Sequence, residues 1–344
     1  MSLVRRLRSL AVAVGLALAV VALPAPVHAA TFVIQCNDTT GLNNAIIQSN
    51  STPGADQIVL APNCTYNFAA PLAGVNALTP VTGQLTLNGR NSTLARTGAT
   101  DFRLFKVEET GNLTINQLTV RNGDVGVEAP ITTQQHVNIC LSAPPEDNRG
   151  GGILNLGSLT LNVSTVTENT AGVGGGIATD VDSTLLLRSS TISDNNADFA
   201  GGGIFGDQVN NLTLQSTTVA DNSSGFCGGG IHTQFSDTLT VQGGSITDND
   251  ADLWGGGLLI QADTTTLSSV RISGNSADEL GGGLLNGDDS STTLNSTTIT
   301  ANTASDGGGV YSASSNDPMT VNSSPITGNT TNNCAGNPVP TCVG

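Results

Sequence analysis

The sequence predicts an all-β fold: a right-handed parallel β-helix, a solenoid with three short strands in each coil of about 26–27 residues. Glycine triplets recur every 24 to 27 residues, beginning at Gly150, Gly174, Gly201, Gly228, Gly255, Gly281 and Gly307. An asparagine recurs with nearly the same period, at Asn169, Asn195, Asn222, Asn249, Asn275, Asn302 and Asn329. Periods of this length are typical of solenoids and repeat arrays.

Each repeat carries three apolar positions on a polar background. In the first repeat these are Ile153 after the glycines, Leu161 at the end of an alternating segment, and Val166 three residues before the asparagine. Thr165 and Thr167 flank Val166, and period-two alternation with β-branched residues indicates strands with one buried face. Helical repeats would need apolar stripes with a period near 3.6 residues, and the repeats have none.

The glycines and asparagines have structural explanations. Each triplet precedes a strand rather than a helix, and Lys106 is the only lysine, so tight turns are favoured over a phosphate-binding loop. We expect each asparagine to adopt the left-handed conformation at a turn. We also expect the asparagine amides to hydrogen-bond from one coil to the next.

The chain divides into five segments. These are a signal peptide at residues 1–29, an N-terminal cap and first strand at 30–75, the β-helix at 76–330 with an insertion at about 124–149, and a disulfide-closed tail at 331–344. Residues 41–50 have a helical pattern with Leu42, Ala45 and Ile46 on one side. This short helix is expected to cover the first coil, because the end of a solenoid needs a cap.

The first residues read as an export signal. Three arginines precede an apolar run from Leu10 to Leu23, and Val27-His28-Ala29 forms a small-x-small cleavage site. We therefore expect a secreted protein, extracellular or at the cell surface, with no transmembrane segment after signal removal. Removing three arginines from a net charge of −16 leaves −19. This acidity excludes nucleic acid as a partner, since phosphates need clustered Lys and Arg.

Six cysteines in an exported chain indicate disulfides rather than a metal or redox site. Cys36 and Cys64 would tie the N-terminal segment, and Cys334 and Cys342 would close a C-terminal loop. Cys140 and Cys227 are then left to pair with each other. Sequence alone does not choose among the possible pairings.

The sequence resembles those of secreted bacterial β-helix proteins. The resemblance rests on Leu42-Asn43-Asn44-Ala45-Ile46, on residues 54–60, on Cys64-Thr65-Tyr66 and on the tail Asn333-Cys334-Ala335-Gly336. The alternation of Gly-Gly-Gly-Ile with a hydrophobic-x-x-Asn unit is similar to the passenger repeats of the polymorphic outer membrane protein family. This resemblance implies the fold and export, and it implies no particular activity.

The favoured function is that of an extracellular structural or adhesive protein without catalysis. Its partners would be cell-surface molecules, glycans, or other copies bound through the ends of the coils. Trp254, the only tryptophan, could form a small apolar stripe with Phe199 and Phe226, although such residues also cover solenoid edges. Arg271 interrupts a Ser/Thr pattern and is a further binding candidate. The sequence contains no convergent set of catalytic residues.

Two alternative functions stay open. Polysaccharide lyases and glycoside hydrolases of the pectin-lyase-like class share this fold, but fold alone does not give function. Only Asp288-Asp289 matches a motif of the hydrolases, and Arg271 is the basic residue closest to a lyase pattern. The minor alternative is ice binding, through outward pairs such as Thr165/Thr167 and Thr298/Thr300.

Four acidic residues precede the asparagine in successive repeats. Glu168, Asp194, Asp221 and Asp248 should stack into an acidic ladder with neighbours about 5 Å apart. Calcium would relieve their repulsion, because it takes several oxygen ligands. The alternative is four solvated carboxylates at splayed turns. Calcium is the one cofactor that the sequence suggests.

Overall fold

The computed structural model describes residues 29–125, 140, 145–288, 290–313 and 319–342, except the side chains of residues 237 and 263. It confirms the predicted β-helix: about 10 turns of stacked parallel coils, with 54% of the residues in strands. Residues 1–28 lie outside the described residues, and so does Asp289 of the Asp288-Asp289 motif. The signal peptide therefore stays a prediction.

The N-terminal part contains the helix and six strands. They are β1 (Thr31–Ile34), α1 (Thr39–Ser51), β2 (Ala55–Leu60), β3 (Thr65–Phe68), β4 (Gln84–Arg96), β5 (Phe105–Val107) and β6 (Asn112–Arg121). Asp38 caps the N-terminus of the helix, because its carboxylate accepts from the Gly41 backbone N–H at 2.8 Å. Leu42, Ala45 and Ile46 are buried against the first coil, so the predicted cap is confirmed.

A 3₁₀ turn at Glu146–Asn148 precedes the regular repeats, whose strands follow in chain order. The first eleven are β7 (Ile153–Asn155), β8 (Ser158–Asn162), β9 (Thr165–Thr167), β10 (Thr170–Val173), β11 (Ile177–Thr179), β12 (Thr184–Arg188), β13 (Thr191–Ser193), β14 (Asn196–Ala200), β15 (Ile204–Asp207), β16 (Asn211–Ala220) and β17 (Ser223–Ser224).

The later repeats are built in the same way. Their strands are β18 (Ile231–Thr247), β19 (Asp250–Ala251), β20 (Leu258–Ser268), β21 (Arg271–Ser273), β22 (Ser276–Ala277), β23 (Leu284–Asn286), β24 (Ser291–Asn295), β25 (Thr298–Thr300), β26 (Val310–Ser312), β27 (Thr320–Asn322), β28 (Ile326–Thr327) and β29 (Cys334–Gly336).

Three faces of the solenoid are parallel sheets, as predicted. Face A contains β5, β7, β11, β15, β23, β26, β29 and the first parts of β18 and β20. Face B contains β1, β2, β8, β12, β24, β27 and parts of β4, β6, β16, β18 and β20. Face C contains β3, β9, β13, β21, β25, β28 and the last parts of β4, β6, β16 and β18.

A fourth sheet of five short strands adds to the predicted three. It contains β10, β14, β17, β19 and β22, and it lies between each asparagine and the next glycine triplet. Its strands pack small residues inward, for example Ala197, Ser224 and Ala251. The three apolar positions of each repeat fill one continuous interior core.

The glycine triplets turn the chain from the fourth sheet into face A. In the triplet that begins at Gly201, this first glycine has a φ of 64°, which L side chains rarely adopt. A Cβ on Gly202 would lie 2.2 Å from the Ser223 carbonyl oxygen, and one on Gly203 would lie 2.7 Å from the Gly230 carbonyl oxygen. All three positions therefore need glycine, and the predicted turn function is confirmed.

The asparagines form a buried ladder inside the solenoid. Asn195 donates through Nδ2 to Asn222 Oδ1 at 2.9 Å, and that oxygen also accepts from the Asn195 backbone N–H at 3.1 Å. The pattern repeats along the coils until Asn329 donates to Asn333 Oδ1 at 3.1 Å. The expected amide ladder is confirmed.

The prediction that these asparagines adopt the left-handed conformation is wrong. This conformation belongs instead to the residue before each one, with φ values of 55–56° at Glu168, Asp194, Asp221 and Asp248. The asparagine follows the turn, which lets its amide point inward.

Candidate functional site

A second apolar cluster lies outside the solenoid, against face A. Along each strand of this face, one side chain enters the core and the next points outward, as with Ile204 and Phe205. Stacked coils align the outward residues into a row that we call the outer column: Leu154, Ala178, Phe205, His232, Leu259, Leu285 and Tyr311. All of them except Tyr311 are buried, although they project away from the core.

The predicted aromatic residues come together in this external cluster. The Phe199 and Phe226 rings stack with their centroids 6.3 Å apart and an interplanar angle of 13°. Trp254 is half-buried against the same cluster, and its Nε1–H donates to Glu279 Oε2 at 2.9 Å. Phe199 is 6% exposed, so the surface of the stripe is provided by Phe226 and Trp254.

The Cys140–Cys227 disulfide joins the insertion to this cluster. Both cysteines are buried there, with their Cα atoms 5.9 Å apart. The other two bridges join Cys36 to Cys64 and Cys334 to Cys342, as predicted, and the structure settles the Cys140–Cys227 pairing that the sequence left open. Cys140 is the one residue between 126 and 144 that the structure describes.

Basic side chains fix the end of the insertion. Arg103 is fully buried and donates to the carbonyl oxygens of Glu146 at 2.8 Å and Asp147 at 3.1 Å. Burial lowers the pKa of the Arg103 guanidinium to about 10, while Glu146 and Asp147 partly oppose this shift. Lys106 pairs with Glu108 at 2.9 Å and with Glu146 at 2.6 Å. These charges serve structure rather than a ligand.

The acidic residues at the left-handed turns stack as predicted. Burial raises the pKa of Asp221, and the charges of Asp194 and Asp248 raise it further. Thr167 donates to Asp194 at 3.3 Å between successive coils. Within the described ranges, no group of three or more Asp, Glu, His or Cys side chains could hold a metal ion. Calcium binding at Glu168, Asp194, Asp221 and Asp248 therefore stays a prediction without a preformed ligand cluster.

Arg271 lies on face C, away from the aromatic cluster. Its Nε–H donates to Ser273 Oγ at 2.9 Å. The residue lines a shallow depression of about 390 Å³ together with Asp248 of the acidic ladder. The structure thus brings a predicted binding residue and a predicted metal ligand to one open surface, separate from Trp254.

Three polar residues near the cluster escaped the sequence analysis. His232 occupies the outer column, and its ring meets that of Phe205 edge-on with centroids 5.4 Å apart. Gln234 lies two residues after His232 on β18, and its register partner Gln261 lies two residues after Leu259 on β20. The signal that could have found them is their departure from the residues at equivalent positions of other repeats.

The comparisons with known proteins agree with the fold. Residues 104–264 match the family model described as the right handed beta helix region. No curated protein and no solved structure matches the chain. In the part of the chain that the structure describes, no helix is long and apolar enough to cross a membrane.

Proposed function

We propose that the protein is an extracellular adhesive β-helix that binds a glycan on a cell surface or in a matrix, without catalysis. The observation that carries this proposal is the external aromatic cluster. Phe226, Trp254 and Tyr311 are half-exposed over a buried apolar floor. Aromatic side chains that stand at a surface with one polar end are typical of binding sites.

The charge around the cluster indicates which glycans would fit. Glu279 accepts a hydrogen bond from the Trp254 indole. Burial raises the pKa of Asp252, and the negative charges of Asp250 and Asp278 raise it further. A dense group of carboxylates repels polyanions and accepts hydrogen bonds from hydroxyl groups. Neutral glycans are therefore favoured over uronate or sulfated polymers. The proposal includes secretion and a relationship to the polymorphic outer membrane proteins. The three disulfides are compatible with an extracellular location.

A binding assay on glycan-coated surfaces tests this function. Full-length protein should be retained on some neutral glycans or on cells that carry them, and Trp254→Ala should reduce retention strongly. Thr293→Ala is the matched control, because Thr293 lies outward on face B, away from the cluster. Equal retention of wild type and Trp254→Ala, or no retention at all, would contradict the proposal.

A turnover assay separates adhesion from the lyase and hydrolase alternative. The protein would be incubated with acidic and neutral polysaccharides, with and without calcium, and new reducing ends and unsaturated uronates would be measured. Adhesion predicts no products. Products that disappear in Arg271→Ala would replace adhesion with catalysis.

Ice binding has one specific observation in its favour. The strand register aligns a column of threonines on face B, interrupted only by Leu186: Thr86, Thr114, Thr160, Thr213, Thr240, Thr266, Thr293 and Thr320. Parallel coils space these hydroxyls at about 4.8 Å. Thermal hysteresis that disappears when Thr240 and Thr266 are replaced by lysine would support this second candidate.

A further inference from the structure

A carboxylate occupies a core position near the N-terminal end of the solenoid. Asp56 lies on the same buried side of β2 as the core residues Ile58 and Leu60, and it is 0% exposed. The residues at this register in the following coils are all leucines: Leu85, Leu113, Leu159 and Leu185. The fold therefore accepts an apolar side chain at this position. A residue that breaks the rule of its repeat is a candidate for function.

This buried carboxylate has no cationic side chain beside it. None of the ion pairs in the described part of the chain includes Asp56. A buried charge is costly unless it is both paired and hydrogen-bonded. Asp56 has the hydrogen bonds but lacks the cation.

One of the two hydrogen-bond donors to Asp56 is a backbone nitrogen close to the predicted cleavage site. Asp56 Oδ1 accepts from the Ala30 backbone N–H at 2.7 Å, and Oδ2 accepts from the Thr52 hydroxyl at 2.6 Å. Burial alone would raise the pKa of Asp56, but hydrogen bonds with Thr52, Ala30 and Ser49 together bring it below its ordinary value. The carboxylate is therefore ionised at neutral pH.

The strand pairing of β1 fixes the position of Ala30. This strand pairs in parallel with β2, with Thr31 opposite Gln57, and the Gln57 N–H donates to the Ala30 carbonyl at 2.8 Å. The carbonyl of Ala30 thus belongs to the sheet, while its nitrogen is aimed at Asp56. Ala29, one residue earlier, is exposed. The bond between Ala29 and Ala30 marks the edge of the folded sheet.

The same bond is the one at which the sequence predicts removal of the signal peptide. Val27 and Ala29 are the two small residues of the cleavage site that follows the apolar run. Hydrolysis transfers the hydroxyl of water to the Ala29 carbonyl carbon and a hydrogen to the Ala30 nitrogen. The new α-amine then takes up a proton, because such amines are protonated below about pH 8. The amide donor that lies 2.7 Å from Asp56 thereby becomes an ammonium group.

We propose that a signal peptidase cleaves the exported chain between Ala29 and Ala30, and that the new Ala30 ammonium forms an ion pair with the buried Asp56 carboxylate. Asp56 is then the receptor for the mature N-terminus, and processing supplies the cation that the folded chain lacks. This inference rests on the secretion included in the proposed function and is independent of glycan binding. Cleavage one residue later would place the ammonium on Thr31 and remove the nitrogen that donates to Asp56.

The first test identifies the N-terminus of the protein after expression of the full chain in a secreting bacterial host. Intact-mass spectrometry of the secreted protein should show a chain that begins at Ala30. A secreted chain that begins at Thr31 or at any other residue would overturn the inference. Uncleaved protein that stays inside the cell would overturn both the cleavage and the secretion in the proposed function.

The second test compares the urea unfolding of this protein with that of a chain in which one glycine is inserted between Ala29 and Ala30. After cleavage the inserted glycine carries the ammonium, which moves it about 3.5 Å along the chain while the Ala30 N–H is kept. The unfolding midpoint at pH 7 should therefore be lower for the inserted form. Equal midpoints would overturn the ion pair.

Asp56→Asn should abolish the difference between the two forms, because it removes the charge that the ammonium pairs with. Asp278→Asn is the matched control: this carboxylate is exposed and lies in a later coil, so the difference should persist at full size. A difference that survives in Asp56→Asn would assign it to chain length and would overturn the inference.

The pH dependence gives a readout that does not require Asp56→Asn to fold. An α-ammonium loses its proton above about pH 8, and pairing with a carboxylate moves that loss to higher pH. The midpoint advantage of the Ala30 form should therefore be full at pH 7 and shrink towards pH 9.5. Asp38 before α1 and Arg90 and Arg96 on β4, the ionisable residues of the elements around Asp56, stay charged throughout this range. A constant advantage would contradict the ion pair.

The outcomes distinguish this inference from the adhesive function. Glycan retention by a secreted chain that begins at another residue overturns the cleavage site and keeps adhesion. A chain that begins at Ala30 and shows the pH-dependent advantage, but is retained on no glycan, supports the inference and overturns adhesion.

Discussion

The side-chain amide of Asn222 donates to Asn249 Oδ1 at 2.9 Å, and the backbone N–H of Asn222 donates to the same oxygen at 3.1 Å. Asn222 Nδ2 also reaches the carbonyls of Ile192 at 3.0 Å and Ala220 at 2.9 Å. One buried side chain therefore satisfies polar groups of three coils. Because these groups have no access to water, the ladder supports the stacking of the coils as well as the turn.

Asn222→Ala should destabilise the protein by about 4 kcal/mol, since it leaves several buried donors and acceptors without partners. Urea unfolding followed by circular dichroism measures the change. Asn322→Ala is the control: its amide donates to Asn295 Oδ1 at 2.9 Å on the exposed face B, and its loss should cost about 0.5 kcal/mol or less. Equal effects of the two substitutions would show that the buried ladder does not stabilise the stack.

Asp221→Gly should stabilise the protein by about 1 kcal/mol in calcium-free buffer. The backbone at Asp221 is left-handed with a φ of 55°, and equivalent positions hold Gly274 and Gly328. The substitution also removes repulsion from Asp194 and Asp248. Asp182→Gly isolates the backbone contribution, because Asp182 has a φ of 58° outside the ladder.

The same variants test calcium. If the acidic ladder binds calcium, the Tm of the wild type should rise on calcium addition, while that of Asp221→Gly should not. No calcium-dependent change in either protein would leave the four carboxylates as solvated side chains.

The predictions from sequence succeeded where one residue type has one structural role in every coil. Alternating apolar residues such as Val166 and Ile192 gave the strand faces, and the glycine triplets gave the turns. The fourth sheet was missed because its strands are as short as Ser223–Ser224 and Asp250–Ala251 and carry only small inward residues.

The aromatic stripe of the external cluster was predicted, but the outer column beneath it was missed, for a different reason. Adjacent apolar pairs, such as Leu258-Leu259 and Leu284-Leu285, break the period-two pattern and indicate strands covered on both sides. This signal was present in the sequence, but its meaning depends on which coils lie next to one another. The complete burial of His232 beside Phe205 could not be predicted, because it depends on side-chain geometry rather than on sequence spacing.

Arg103→Met should destabilise the end of the insertion by about 3 kcal/mol, because it leaves the Glu146 and Asp147 carbonyls without their donor. Limited proteolysis near residues 145–149 should become faster, and the denaturation midpoint should fall. Arg188→Met is the control, since Arg188 is exposed and donates only to Gln215 Oε1 at 3.1 Å among the described contacts. An unchanged cleavage rate in Arg103→Met would show that Lys106 suffices to hold this segment.

The pH dependence of stability should contain a specific contribution from His232. Its pKa is lowered from 6.5 to about 4 in the folded protein, so the unfolded chain binds the proton more readily. The contribution is fully present above pH 6.5 and decreases as the pH falls towards 4. Between these limits the wild type should lose about 3 kcal/mol through this group. The neighbours Phe205 and Leu259 are uncharged, a side-chain hydrogen bond with Gln261 partly opposes the shift, and Asp207 is hydrogen-bonded to Gln234.

His232→Leu should remove this contribution. Acidic groups whose pKa is raised by burial, such as Asp198 and Asp221, act in the opposite direction, but they are common to both proteins. The difference in free energy of unfolding between variant and wild type therefore isolates the histidine. Chemical denaturation at several pH values from 7.5 to 4 should show the variant gaining stability relative to wild type as the pH falls. Parallel curves would mean that the His232 ring is solvated in solution and that burial does not lower its pKa.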